Sequence, residues 1–342
     1  MKKIFLDKIG SVTKNCQISK EVTVSKDIDC KEGDVLAVQA LEQKHIYNTL
    51  ELPSGRMAKI QKEDIMAVTL GNRRALKGFV GSVPKKLNTG DKVQILNLGG
   101  VAGSIESENL HLVGKALNCK VLGQVVLDNK KLNIGDFAKF KPKEKVESNP
   151  KLIIVSGTCM NAGKTTVSCE IIKHLRRNNY TVAGAKLAGI AAIRDVENMK
   201  DHGAFTAVSM IDGGLTSTVN SEESANLAKA AVDFLAEKNP DFIVIEFGDG
   251  VLGEYGVLEI ISDPEISKIT KLHIGVAHDP VGAIGLFDIC QSIKNPLHIF
   301  SGPVTDNEVG SDFIRKKISI PAENALHGGD ALWREANKIL NL

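Results

Sequence analysis

"IIVSGTCMNAGKTTVSCEIIKHL", residues 153 to 175, passes from an unbroken apolar run through a glycine-bounded loop into a stretch with helical spacing. A strand ending at Val155, a loop from Gly157 to Gly163 and a helix beginning at Lys164 would aim successive backbone N–H groups at one spot. The helix dipole adds partial positive charge there, so the spot attracts phosphate. Lys164 can reach β- and γ-phosphate oxygens, the Thr165 hydroxyl can ligate magnesium, and Gly163 lets the backbone approach without a Cβ. An ordinary strand-to-helix turn accounts for Gly-Lys-Thr less well, because strand, loop and helix follow one another in the order the chemistry needs. Gly157 stands one residue earlier than the common spacing, since five residues, Thr158 to Ala162, separate it from Gly163.

Around this loop the rhythm is strand alternating with helix. "KLIIVS", a helix over 164–177, "YTVAGAKL", a helical stretch near 196–210, "EESANLAKAAVDFLAEKN", "DFIVIEF", "KLHIGVAH" and "PLHIFSG" follow in turn. Alternation of this kind predicts βαβ units, and the near-continuous apolar strands predict a mostly parallel sheet covered by helices on both faces. Ligands on such sheets bind beyond the carboxyl ends of the strands.

From about 15 to 140 the pattern differs. Short apolar runs such as "DVLAVQAL", "DIMAVTL", "KVQILNL" and "CKVLGQVVL" are separated by turn residues, and Gly-Asp opens or approaches a run at "KEGDVL", "NTGDKV" and "NIGDFA". A small all-β barrel or sandwich of antiparallel strands is expected. "KFKPKEKVESNP", residues 139 to 150, lacks an apolar pattern and reads as a solvated linker. The expected division is a β-rich domain over 1–140, a linker over 141–150 and a phosphate-loop domain over 151–342.

The 43 basic residues nearly balance the 41 acidic ones, for a formal charge of +2, so no global field recruits nucleic acid or an anionic membrane. The start has only Ile4, Phe5 and Leu6 before Asp7, too short for a signal peptide, and nothing approaches a membrane span of ~20 apolar residues. A cytoplasmic protein with six free thiols is expected. The eight histidines show neither H-x-x-x-H nor H-x-H spacing, which disfavours a histidine-built zinc site. "GGVAG" (99–103) has no strong helix behind it, which disfavours a dinucleotide fingerprint.

"GTCMNAGKT" resembles the phosphate loop of the dethiobiotin synthetase and cobyric acid synthase families, with Gly-Thr, a variable stretch and Gly-Lys-Thr at this spacing. "VAGAKLAG" (182–189) is similar to their second strand, and the resemblance makes Lys186 the lysine near phosphates and substrate. "VIEFGDG" (244–250) looks like their third motif and makes Glu246 a magnesium-binding glutamate, while "IGVAHDPVGAIG" (274–285) is similar to a later strand and turn. The likeness covers about 151–305. Leu187 and "FGDG" depart from the proline and Gly-Ala-Gly-Gly usual in dethiobiotin synthetases, so a different substrate pocket is expected. The β-rich front followed by this loop also resembles a bacterial P-loop family classed as a domain of unknown function and sometimes labelled molybdopterin-guanine dinucleotide adaptor-like.

The expected site comprises Thr158, Met160, Asn161, Ala162, Gly163, Lys164, Thr165 and Thr166 around the phosphates. Thr165, Glu246 and Asp249 are the metal candidates, and Lys164, Lys186 and Glu246 the catalytic ones. Asp195 and Asp249 fit either metal or substrate binding or plain turn chemistry. ATP, with GTP not excluded, and Mg2+ are the expected cofactors. A nucleotide and a small-molecule substrate are the expected partners, with homo-oligomerisation left open. The expected activity is phosphoryl transfer to, or activation of, a small carboxylate- or carbamate-bearing substrate. The alternatives are a nucleotide-dependent switch or adaptor, and an acyl-transfer protein that holds coenzyme phosphates in the loop.

Overall fold

The computed structural model describes residues 1–219 and 223–342. They divide into two compact units: Met1–Lys139 with Ile190–Arg194 and Ser209–Val219, and Phe140–Gly189 with Asp195–Val208 and the described part of Asn220–Leu342. The first unit thus takes in two short segments from the second half of the chain.

In the first unit five strands close on themselves: β1 (Val35–Ala40), β2 (Ile65–Leu70), β3 (Lys92–Ile95), β4 (Val101–Glu108) and β5 (Leu117–Leu127). β5 pairs with β1, β1 with β2, β2 with β4, β4 with β3, and β3 with β5, so the ring has no free edge and is a barrel. Its interior follows from period-2 alternation. Leu36 and Val38, Met66 and Val68, Val93 and Ile95, and Leu117, Cys119 and Val121 share one buried core. The barrel is not wholly antiparallel as its turn-rich sequence predicts. β2 and β4 run parallel, as do Lys8–Ile9 and β2. The stretch between β2 and β4 is long enough for a crossover that no local turn signal announces.

The second unit carries β6 (Leu152–Gly157), α1 (Lys164–Arg177), β7 (Val182–Ala188), α2 (Arg194–Asp201), β8 (Thr206–Ser209), α3 (Ser224–Ala236), β9 (Phe242–Phe247), β10 (Thr270–Val276), α4 (Pro280–Ser292), β11 (Ile299–Ser301), α5 (Glu308–Ile318) and α6 (Asp330–Leu340). The sheet order is β8-β7-β9-β6-β10-β11, and the β7–β9, β9–β6, β6–β10 and β10–β11 pairs are all parallel. This is an α/β architecture whose mostly parallel sheet carries a strand–loop–helix turn between β6 and α1. Val167, Ile171, Ile172 and Leu175 lay the apolar stripe of α1 over Ile153 and Val155, and Leu332 and Ala336 of α6 join the same core. The helix expected near 196–210 stops at Asp201, because Gly203 takes φ +110° and the chain re-enters the sheet as β8.

The stretch read as a solvated linker is anchored in the second unit. Asp233 of α3 accepts from the Glu147 and Ser148 amides at 3.1 and 3.0 Å and from the Ser148 hydroxyl at 2.6 Å, while Lys229 donates to the Glu144 carbonyl at 2.7 Å. Phe140 is buried and its ring meets Phe234 at 5.4 Å. Among the described residues no helix is long and apolar enough to cross a membrane.

Candidate functional site

β6 delivers the chain to Gly157, and a loop over 158–163 returns it into α1. Gly157 is required by the side chain that follows it in space. A Cβ there would meet the Val276 carbonyl at 2.8 Å and Lys164 Cδ at 3.1 Å, so the stem of Lys164 crosses over bare backbone. Gly163, at φ +95°, occupies the left-handed region at the helix N-cap, where a side chain would be strained. Gly302 closes the other flank, since a Cβ there would meet the Ala162 carbonyl at 2.7 Å.

Among the described residues none accepts a hydrogen bond from the backbone amides of 160 to 166. Those donors sit at the start of a 14-residue helix, the arrangement that binds oxyanions. Thr158 does not join them, because its N–H donates to the Val276 carbonyl at 3.0 Å and continues the sheet. Within the expected set, the amides without a described acceptor are those of Met160, Asn161, Ala162, Gly163, Lys164, Thr165 and Thr166.

Lys164 is buried, and its Nζ donates to the Cys159 carbonyl of its own loop at 2.7 Å. Burial, with Lys186 as a second nearby cation, lowers its pKa to about 8, against the opposing pull of Glu246 and Asp249. An ammonium held by one neutral carbonyl is short of negative charge.

Glu246, at the end of β9, is the hub. Its Oε1 accepts from the Thr165 hydroxyl at 2.7 Å and from Lys186 Nζ at 2.5 Å, and Lys186 also pairs with Asp195 Oδ2 at 2.9 Å. β7 and β9 are neighbours with Lys186 opposite Glu246 in register, which brings the two side chains together. Burial by itself would lower the Lys186 pKa, but Asp195 and Glu246 outweigh it and hold the ammonium above its ordinary value. Glu246 Oε2 is buried with no hydrogen-bond partner among the described residues. A desolvated carboxylate oxygen without a donor is costly, and a cation offsets that cost.

Asp249 is buried beside this group, with Oδ1 accepting from the Gly250 amide at 2.8 Å. Among the described residues no three His, Cys, Asp or Glu side chains form a metal cage. Magnesium bound through one carboxylate, one hydroxyl and phosphate oxygens needs none.

The geometry brings together Lys164, Thr165, Lys186, Glu246 and Asp195. It gives Asp195, which the sequence left between two readings, a definite partner in Lys186. His278 is half-buried, with its Nε2 buried and lacking an acceptor or donor among the described residues. "DGGLTSTV" (212–219) lies outside this group. Its Thr216 belongs to the first unit and donates to Glu32 at 2.5 Å. Gly302 was not singled out from sequence, although a glycine directly after the strand Ile299–Ser301 was the available signal.

No protein-family model matches the chain, and no curated protein matches it. Among solved structures it is similar to chloroplast FtsY from Physcomitrella patens (17% identity, 52% of this chain and 58% of that one, TM-score 0.37) and to cell division protein FtsY from Thermotoga maritima (19%, 57% and 71%, 0.38). It is also similar to a duf1611 family protein from Anabaena variabilis (14% identity, 57% of this chain and 61% of that one, TM-score 0.39). The chain thus spans less than two thirds of the length of the chloroplast FtsY, and the likeness covers little more than half of its own residues.

Proposed function

We propose that the second unit binds a magnesium–nucleoside triphosphate and transfers its terminal phosphoryl group to a small carboxylate- or carbamate-bearing substrate, or activates the substrate by that transfer. The observation that carries the reading is the row of amides from 160 to 166 without acceptors among the described residues, closed by a buried lysine whose Nζ donates to a loop carbonyl. Polyphosphate supplies what both lack. Lys164 would exchange the Cys159 carbonyl for phosphate oxygens and recover its full charge there.

The Thr165 hydroxyl and the Glu246 carboxylate, already in contact, would hold Mg2+, which supplies charge neutralisation on the phosphates. Lys186 is fixed by Glu246 and Asp195 and would offset charge on the entering oxygen of the substrate. Catalysis in such transfers is largely positioning and electrostatics, which rigid strand-end residues provide. ATP is the nucleotide proposed, with GTP as the alternative.

A thermal-shift series with Mg-ATP and Mg-GTP tests the site, because a ligand of the folded state raises its melting temperature. The shift should vanish in Lys164→Ala, and in Thr165→Val it should lose its dependence on magnesium. Small carboxylates and amines added on top of the better nucleotide should then release inorganic phosphate. An unchanged shift in Lys164→Ala removes the nucleotide from the loop. Slow hydrolysis indifferent to every added metabolite would favour the switch reading over the transferase.

A further inference from the structure

Lys186 and Thr165 both reach Glu246, and both reach the same oxygen. Oε1 accepts from the Thr165 hydroxyl at 2.7 Å and from Lys186 Nζ at 2.5 Å, whereas Oε2 is buried with no hydrogen-bond partner among the described residues. The carboxylate is therefore well supplied with donors on one side and bare on the other. It is 1% exposed, so bulk water does little to stabilise its charge, and the Lys186 ammonium is in direct contact with it.

The sheet fixes this arrangement. Lys186 on β7 stands opposite Glu246 on β9 in a parallel pair, so neither backbone can withdraw without breaking the register. The part that can move is the lysine side chain. Its ammonium has a second acceptor in Asp195 Oδ2 at 2.9 Å, on a side chain 24% exposed. Rotation about the lysine stem can take Nζ away from Glu246 while Asp195 keeps it paired.

An ammonium and a divalent cation exclude one another at Glu246, because both are held by the same carboxylate charge and two positive centres a few ångströms apart repel strongly in a buried site. Magnesium takes near-octahedral oxygen ligation and gives up its water reluctantly. Among the described residues no three His, Cys, Asp or Glu side chains form a cage that would offset dehydration. The Glu246 carboxylate and the Thr165 hydroxyl are too few ligands to do so while the lysine contact is also lost. Phosphate oxygens complete such a shell, and the amides of 160 to 166 are placed to hold those oxygens.

We infer that Lys186 is the internal counter-cation of Glu246 and bars free divalent cations from it, so that the protein admits magnesium only together with nucleotide, the ammonium then resting on Asp195. The inference rests on the reading of Glu246 as the metal carboxylate and adds an order to it. Metal and nucleotide bind as one ligand, each raising the affinity for the other.

Manganese tests this, because it takes the same oxygen ligands and its EPR signal falls when it leaves bulk water. With the full-length protein and no nucleotide, the parent should leave the signal of free Mn2+ unchanged. Lys186→Gln, which keeps a donor and removes the charge, should bind Mn2+ at least about 10-fold more tightly, and Glu246→Gln added to it should abolish the gain. Lys186→Arg keeps the charge and should bind no better than the parent. A parent that takes up Mn2+ as tightly as Lys186→Gln overturns the inference, as does folded Lys186→Gln without a gain, or a gain that survives Glu246→Gln. The parent supplies a second measurement that does not depend on how well the variants fold. The 15N resonance of the Lys186 ammonium should stay in place with Mg2+ and move with Mg2+ plus β,γ-imido-ATP. A resonance displaced by Mg2+ alone, or left in place by bound Mg–imido-ATP, overturns the inference. If Mg–imido-ATP does not raise the melting temperature, the nucleotide reading of the loop fails, and the manganese arms, which contain no nucleotide, still decide the part played by Lys186.

Discussion

Lys186 Nζ stands 2.5 Å from Glu246 Oε1, with both residues buried, and Asp195 Oδ2 lies 2.9 Å from the same ammonium. One cation between two carboxylates leaves the group with excess negative charge. Removing the cation should be severe, because it strands both acids. Lys186→Met should cost about 3–5 kcal/mol in urea unfolding without metal. Adding Glu246→Gln to Lys186→Met should recover part of the loss, with a coupling of about 1 kcal/mol or more. Strict additivity of the two changes would show that the pair does not interact.

Lys164 makes a pH prediction. Its folded-state pKa, lowered to about 8 from 10.5, means that below pH 8 the buried ammonium opposes folding by about 3 kcal/mol. The penalty is relieved as pH rises from 8 towards 10.5, where the unfolded chain still holds the proton and the folded one does not. Lys164→Met should therefore be more stable than the parent at pH 7 without nucleotide, with the gap closing over that window. Phosphates restore the charge, so nucleotide binding near pH 9 should take up a proton. Calorimetry in two buffers of different ionisation enthalpy reads that uptake, and equal heats in both would contradict it.

His273 sets an acid limit. It is fully buried, its Nε2 meets the Ser156 hydroxyl at 2.8 Å, and its Nδ1 lies 3.1 Å from the Asn295 carbonyl. Burial lowers its pKa to about 4. The unfolded histidine takes a proton near 6.5, so the stability His273 contributes is complete above that pH. It is lost as the pH falls towards 4, by about 3 kcal/mol. In His273→Asn the acid limb of stability against pH should flatten between 6.5 and 4. A limb of the same slope would assign acid sensitivity to other groups.

Glu51 holds a chain crossing. It is fully buried in the first unit, and its two oxygens accept from the amides of Ile193 and Arg194, each at 2.8 Å, with the Ser11 hydroxyl on one of them. Glu51→Gln turns one acceptor into a donor facing an amide. It should cost roughly 2–4 kcal/mol and speed hydrogen exchange at Ile193 and Arg194. Exchange at the parent rate would mean that the carboxylate does not hold the segment.

The α/β half was legible because its signals are local. The apolar runs became β6, β7, β9, β10 and β11, and the stripe Val167, Ile171, Leu175 marked α1 over 164–177. The helix near 196–210 was misread because one continuous window hid Gly203, where the chain turns back into β8. The Thr158 amide shows a related limit. Its residue type suits a phosphate loop, but its amide belongs to the sheet through Val276, a residue far away in sequence.

By itself the sequence determined the strand–loop–helix turn around Gly157 to Lys164, since strand, glycines, lysine and helix are consecutive and their physics acts over a few residues. It also determined the strand-rich character of the front half, which period-2 alternation records. Tertiary structure alone decided which barrel strands pair, that β2 and β4 run parallel, and that Lys186, Asp195 and Glu246 share charge. Pairing, register and desolvation depend on residues brought together from distant parts of the chain, and no short window of sequence records the energy of a charge removed from water.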